Sequence, residues 1–279
     1  MMLPWKFKSF VFGLIDRFNG HKLLYFLQTH VTKTANFSIM EIDPIWRRHF
    51  LAINKHSACE LVFEFGVGKY LGQNIYLSSI VQRQLLYDLN RMINFRLVDR
   101  SRFLLSGQCQ LRSDEEISDE KDLLKYGIEY CAPADARKVA LASNSVSACI
   151  STNTFEHIPE SDLRSILREL FRLLKPGGII STQIDYSDHY AYTDPSIHRL
   201  NFLKFNNDDW NRYNHGSHFQ NRLRHAQYRD MFVEEGFVVV DEETYYEWDA
   251  DDELLCKIYQ REDISWCATS GYFVLLKLE

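Results

Sequence analysis

The sequence predicts an α/β fold with a mostly parallel sheet covered by helices on both faces. Three observations predict it. From residue 60 onward, short apolar runs alternate with amphipathic helical segments. A glycine turn, Gly66-Val67-Gly68, follows the first run at once. Acidic or amide residues, Glu64, Asp88, Asp135, Asn153 and Asp185, stand at the ends of successive runs, and open sheets of this kind bind ligands outside their strand carboxyl ends.

Residues 1–58 read mainly as helices, an N-terminal extension to a domain spanning 59–279. ELVFEF (60–65) is a short buried strand, and KYLGQNIYLSSIV (69–81) is a helix with Leu71, Ile75 and Ser78 on one face. RQLLYDL (83–89), IEYCAP (128–133) and VSACIST (146–152) are further strands. SDLRSILRELFRLL (161–174) is the clearest helix. Its apolar positions Leu163, Ile166, Leu167, Leu170, Phe171 and Leu174 follow the helical repeat, Ser161 caps it, and Lys175-Pro176-Gly177-Gly178 stops it. IISTQID (179–185) is the fifth strand, followed by a polar, aromatic, histidine-rich insert at about 186–219. A helix at 220–235 and two antiparallel edge strands, 237–246 and 271–279, close the chain.

Composition narrows the function. The 279 residues are 46% hydrophobic, enough for a substantial core. The net charge of −6 speaks against nucleic acid as a partner, because phosphate binding shows as a basic excess. The six cysteines form no C-x-x-C pair, so neither a zinc site nor a disulfide framework is suggested, and a reducing, cytoplasmic setting fits. No apolar run reaches the ~18 residues of a membrane span. The N-terminal stretch MMLPWKFKSFVFGLIDRF mixes aromatics with Lys6, Lys8 and Arg17, which suits contact with the inner face of a membrane. A helix packed on the domain, or on a second copy in a homo-oligomer, is the plainer alternative.

The turn at FEFGVGKYLGQN (63–74) has two readings. A dinucleotide fingerprint needs a third glycine at position 71, where Leu71 stands. The acid Glu64, two residues before Gly66, would repel a pyrophosphate but suits a cationic ligand, such as the amino group and sulfonium of S-adenosylmethionine. Asp88 ends the second strand, where a carboxylate accepts hydrogen bonds from ribose hydroxyls. Asp99 competes for that role but leaves too long a helix before it. Asp135-Ala136, after the third strand, suits an adenine amino group and ring.

The order EFGVG, YDL, APADA, ISTNTFEHIP, LRELFRLLKPGG resembles the class I S-adenosylmethionine-dependent methyltransferases over about residues 60–279, most specifically from EHIP to LKPGG. The resemblance implies a Rossmann-like, seven-stranded sheet with a reversed last strand. It implies S-adenosyl-L-methionine as cofactor, with Glu64, Gly66 and Gly68 at its methionine end, Asp88 at the ribose, Asp135 and Ala136 at the adenine, and Asn153 beside it. Lys69-Tyr70-Leu71 departs from the family's small residues, so the path of the loop stays open.

Methyl transfer from a sulfonium needs an acceptor held in line with the S–CH3 bond. A hydroxyl acceptor must also lose its proton, which a histidine can take. His157 and His189 stand at strand ends, with Asp188 or Asp185 available to orient an imidazole. His189 is the preferred base because its loop leads into the insert, and the alternative for His157 is a helix-entry residue that shapes the pocket. In the insert, Trp210, His218, Arg222 and Arg224 suit a glycan or an anionic small molecule; a polar lid or dimer interface is the alternative. Asp185, Asp188, His189, Asp194 and His198 could instead bind a divalent metal, for which an oxygen-rich set suits Mg²⁺, but they match no compact metal motif, so no metal is assigned. The expectation is an O-methyltransferase acting on a sugar hydroxyl, with similarity of the insert to methyltransferase-like proteins of bacterial surface-polysaccharide assembly. The rivals are methylation of another hydroxyl or an amine, a non-catalytic scaffold in glycan assembly, and a nicotinamide-dependent dehydrogenase.

Overall fold

The computed structural model describes residues 4–18, 42–56, 59–247 and 264–278. Helices α1 (Trp5–Arg17) and α2 (Pro44–His56) precede β1 (Leu61–Phe65), α3 (Gly72–Leu77), β2 (Arg83–Tyr87), α4 (Phe95–Ser106) and a short α5 (Glu120–Leu123). Then come β3 (Ile128–Cys131), β4 (Val146–Thr152), α6 (Glu160–Leu173), β5 (Leu174–Asp185), the short α7 (Asn207–Asn211) of the insert, α8 (His225–Glu234), β6 (Val238–Tyr245) and β7 (Ser270–Leu276).

The sheet has seven strands in the order β3-β2-β1-β4-β5-β7-β6. All run parallel except β7, which lies antiparallel between β5 and β6. β1 carries Val62, Phe63, Glu64 and Phe65 buried, and β5 is buried from Ile179 to Ile184. Continuous burial is what a parallel strand covered on both faces requires. The chain leaves β1 toward β2 and returns to its other side as β4, so the switch point lies between the carboxyl ends of β1 and β4.

Helix α6 turns Leu163, Ile166, Leu167, Leu170 and Leu173 onto the sheet. Pro159 rather than Ser161 precedes its first turn, and the chain passes directly into β5 at Leu174. The helix expected at 69–81 contracts to α3, because Leu71 enters a left-handed conformation (φ 47°) and Ser78 onward forms a turn. Helix α8 starts at His225, not at 220.

The two N-terminal helices join the molecule differently. Ala52 and Ile53 of α2 share a core with Val62, Ala148, Ile150, Ile179 and Val274 of the sheet. Trp5, Phe12 and Ile15 of α1 instead pack on Tyr190, Leu200, Phe202 and Trp210 of the insert. The Trp5 N–H donates to Asp194 (2.8 Å) and the Ser217 N–H to Asp16 (3.0 Å), which fixes α1 to the insert. Cys59, Cys109, Cys131 and Cys149 are free thiols. Cys267 is disulfide-bonded, against the sequence expectation, which rests on the absence of a C-x-x-C pair and so does not weigh wider spacings.

Candidate active site

The site is built where the carboxyl ends of β1, β2, β4 and β5 meet. After β1 the chain turns through Gly66 and Gly68, both at φ 74°. Only glycine enters that region without strain. Gly66 is doubly constrained, since a Cβ there would lie 2.3 Å from Thr154 Cγ2 on the loop after β4. Asp88 follows β2 and is buried. Its Oδ2 accepts from the Tyr130 hydroxyl (2.9 Å), and its Oδ1 faces the Gly68 N–H at 3.5 Å. Burial raises its pKa to about 6, against the lowering effect of the Tyr130 bond. Asp99, the rival, sits within α4 and pairs with Arg102.

Glu64 is buried at the end of β1, and burial raises its pKa to about 8. Its two oxygens accept from Gln73 Nε2 (2.9 Å) and Asn74 Nδ2 (2.5 Å). A directed hydrogen-bond chain runs on from Gln73. Thr152 Oγ1 donates to Gln73 Oε1 (2.9 Å) and receives His49 Nε2–H (3.0 Å). His49 Nδ1 then accepts from Ser181 (2.7 Å), which accepts from the Tyr272 hydroxyl (2.6 Å). Every donor in the series has one acceptor only if His49 is neutral. Its complete burial, with Arg48 beside it, lowers its pKa to about 3.

A cleft lined by Gly66, Tyr87, Asp135, Ala136, Thr154 and His157 opens beside this turn. It brings the adenine-end pair into one space with Gly66 and the first histidine. Asp135 is held by Arg137 (2.7 and 3.0 Å), which also binds Asp162 (2.7 Å), and the Arg137 bond lowers the Asp135 pKa. Asn153 follows β4 in a left-handed conformation (φ 49°) and borders a second pocket with Gln183, Asp185, Ser187 and Tyr192. A larger groove lined by Ser78–Gln82 and Gln110–Arg112 opens beside Val81 and Gln82, just before the amino end of β2, away from these groups.

At the ends of β4 and β5 the structure places Glu156, His157, Asp185 and His189 together. His189 Nε2–H donates to Asp185 Oδ2 (3.2 Å), which also accepts from the Tyr192 hydroxyl (2.5 Å). Despite burial, the bond from His189 helps hold the Asp185 pKa below the ordinary carboxylate value. His157 Nδ1–H donates to the Phe219 carbonyl (3.0 Å), and its ring lies 4.9 Å from that of His189. Glu156 is buried with neither carboxylate oxygen hydrogen-bonded. Sequence reasoning passed over Glu156, although it stands beside His157 in FEHIP; the strand-end acid rule that selected Asp88 would have found it.

Four sequence assignments are corrected here. Asp188 does not orient His189; it is fully buried and accepts from the Tyr190 N–H (2.9 Å) and Asn201 Nδ2 (3.2 Å). Trp210 fills the core between α1 and the insert. Arg222 stacks over Trp210 and donates to the Phe202 (3.0 Å) and Phe205 (2.6 Å) carbonyls. Arg224 is fully buried and donates to the carbonyls of Trp266, Tyr186 and Ala268. Arg222 and Arg224 hold the insert in shape because their donors are spent mainly on backbone oxygens. His218 stays near the site, stacked on Phe12 (4.5 Å) and 6.2 Å from His189, with burial lowering its pKa to about 3.

A family model described as a methyltransferase domain matches residues 111–182. No curated protein matches the sequence. Among solved structures, one from Bacillus halodurans provisionally described as a methyltransferase is similar at TM-score 0.51 and 13% identity, over 83% of this chain and 98% of that one. One from Galdieria sulphuraria, provisionally described as a sarcosine dimethylglycine methyltransferase, is similar at TM-score 0.50 and 13% identity, over 84% of each chain. At such identity the likeness is one of fold. The chain thus has the fold of the class I S-adenosylmethionine-dependent methyltransferases, and its residues 111–182 match a methyltransferase domain. The cleft has features that suit that cofactor: a glycine turn with no room for a Cβ at Gly66, the buried Asp88 carboxylate, where the resemblance expects the ribose, and the small Ala136, where it expects the adenine.

Proposed function

We propose that the protein transfers a methyl group to a hydroxyl oxygen of a sugar in a glycan or glycan precursor. The observation that carries the proposal is the Asp185–His189 pair, set beside His157 at the rim of the cofactor cleft. When bound, S-adenosylmethionine supplies an electrophilic methyl on a sulfonium. Gly66, Gly68 and Asp88 hold that group, with Glu64 behind the turn, Asn153 beside it, and Asp135 and Ala136 at its far end. Asp185 fixes the tautomer of His189, which leaves Nδ1 free to accept the acceptor's hydroxyl proton.

The sugar reading is supported by the second pocket. Asn153, Gln183, Asp185 and Ser187 offer polar groups there beside the exposed face of Tyr192, over which Arg199 lies at 5.0 Å. An aromatic face among hydrogen-bonding side chains suits a sugar ring. The reading is tested by transfer of labelled methyl to sugar nucleotides and glycans. His189→Ala is expected to lower turnover by about 10²-fold or more while affinity for S-adenosylhomocysteine holds; unchanged turnover contradicts the base.

We extend the proposal to a cytoplasmic protein resting on the inner face of a membrane. Helix α1 turns Phe7, Phe10 and Leu14 outward beside Lys6 and Arg17, a composition that suits an anionic surface. The four free thiols fit a reducing compartment, and the disulfide at Cys267 does not. Sedimentation with anionic vesicles should carry the protein down, and Phe7→Ser with Phe10→Ser should leave it in the supernatant. Equal recovery of both forms refutes the surface contact.

A further inference from the structure

We propose that Glu156, His157 and His189 form a binding site for a divalent first-row transition ion, open on one side to the acceptor. Their ligand atoms all lie within 4.8 Å of one another. Ligand atoms around an ion at ~2.1 Å stand closer than that, so the set contracts by roughly 1 Å on binding. His157 stands exposed at the rim of the cleft, on the open side of the set.

The carboxylate gives the stronger argument. Glu156 is 2% exposed, neither oxygen makes a hydrogen bond of ordinary geometry although the Glu156 and Asp185 N–H groups lie near, and the Asp185 carboxylate is a near neighbour. A charged carboxylate buried without a partner is unfavourable, and a cation at this point offsets that. The side chain is not turned inward by a loose loop. Glu156 sits in a 3₁₀ turn, Phe155–His157, directly after β4. Asn221 straps that turn, donating from its backbone to the Glu156 carbonyl (2.7 Å) and from its side chain to the carbonyls of Phe155 and Ile158 (2.8 Å each). Tyr228 in α8 in turn donates to Asn221 (2.9 Å).

The histidines are prepared for the same role. Each already donates one ring N–H, His157 Nδ1 to the Phe219 carbonyl and His189 Nε2 to Asp185. That leaves His157 Nε2 and His189 Nδ1 as lone-pair donors, oriented from behind as metal-bound histidines are. Two imidazoles and one carboxylate suit Mn²⁺, Fe²⁺, Co²⁺ or Zn²⁺ better than Ca²⁺. Three protein ligands leave positions for an acceptor oxygen.

The inference rests on the methyl-transfer reading and deepens it. An ion here holds the acceptor hydroxyl and lowers its pKa. The hydroxyl proton then leaves to water, the O–CH3 bond forms as the S–CH3 bond breaks, and His189 acts as ligand rather than base in the loaded enzyme.

The test titrates the full-length, chelator-stripped chain with Mn²⁺, followed by electron paramagnetic resonance, and with Co²⁺, followed by visible absorption. Expected are one ion per chain at micromolar affinity and Co²⁺ bands typical of nitrogen ligands. Glu156→Gln and His157→Asn should each weaken binding at least about 30-fold; Glu156→Gln should leave S-adenosylhomocysteine affinity unchanged, which also reports that this variant folds, and circular dichroism reports the folding of His157→Asn. No ion binding by a chain that binds S-adenosylhomocysteine overturns the site, as does ion binding that both substitutions leave intact. Turnover that survives chelation but is lost in His189→Ala overturns the metal and leaves the base. A chain that binds no S-adenosylhomocysteine overturns the methyltransferase reading instead.

Discussion

Gly66 shows how one residue couples backbone and site. Its φ of 74° and the 2.3 Å approach to Thr154 leave space for hydrogen alone. Gly66→Ala meets both a left-handed penalty and an overpacked contact, together about 2–4 kcal/mol. Thermal unfolding should show that loss together with lost S-adenosylhomocysteine binding, and adding Thr154→Gly should return part of the stability. A fully stable single variant contradicts the reading. The neighbouring Leu71 carries the opposite solution. It takes a left-handed conformation without being glycine, and complete burial of its side chain offsets the strain. At this scale the sequence was legible where chemistry is local. A glycine turn after a strand, or an acid at a strand end, announces itself. Arg224 and Trp210 were not legible, because an arginine that serves backbone carbonyls has the same letter as one that serves a substrate. Glu156 was legible and passed over.

Helix α6 was readable because its apolar stripe repeats every three to four residues, and the KPGG stop lies where α6 gives way to β5. Insertion of β7 between β5 and β6 was not readable from periodicity, since strand pairing across a fold leaves no local trace. Helix α2 belongs to the same lesson. It looked like an appendage, yet His49 links it through Ser181 and Thr152 to the network that ends on Glu64. The His49 pKa falls from 6.5 to about 3 on folding. The unfolded chain therefore binds a proton that the folded chain refuses, so stability falls as pH drops below about 6.5 and goes on falling toward 3. His49→Gln removes that proton. The advantage of the native chain over the variant should shrink by about 2 kcal/mol between pH 7 and pH 5, measured by urea unfolding at each pH. A pH-independent difference shows that His49 does not titrate as described.

At the scale of the whole molecule, the sheet brings together strand ends far apart in sequence, and the insert with α1 closes one side. Glu64 and Asp88 are carboxylates whose burial disfavours charge, by pKa values raised to about 8 and about 6. In the empty protein each lowers stability as pH rises from the unfolded carboxylate range through those values, because the folded chain keeps a proton that the unfolded chain gives up. A ligand whose ribose hydroxyls donate to Asp88 prefers the ionised form, so affinity should decline as pH falls below about 6. The fold's cost in carboxylate burial is thus turned toward ligand binding. The most direct measurement is calorimetry with S-adenosylhomocysteine on the native chain and on Asp88→Ala, with NADH as the competing ligand. The account predicts micromolar binding to the native chain, weakening of roughly 30-fold or more in the variant through loss of hydrogen bonds to a charged group, and no heat with NADH. Equal affinity in both chains, or binding of NADH in place of S-adenosylhomocysteine, contradicts it.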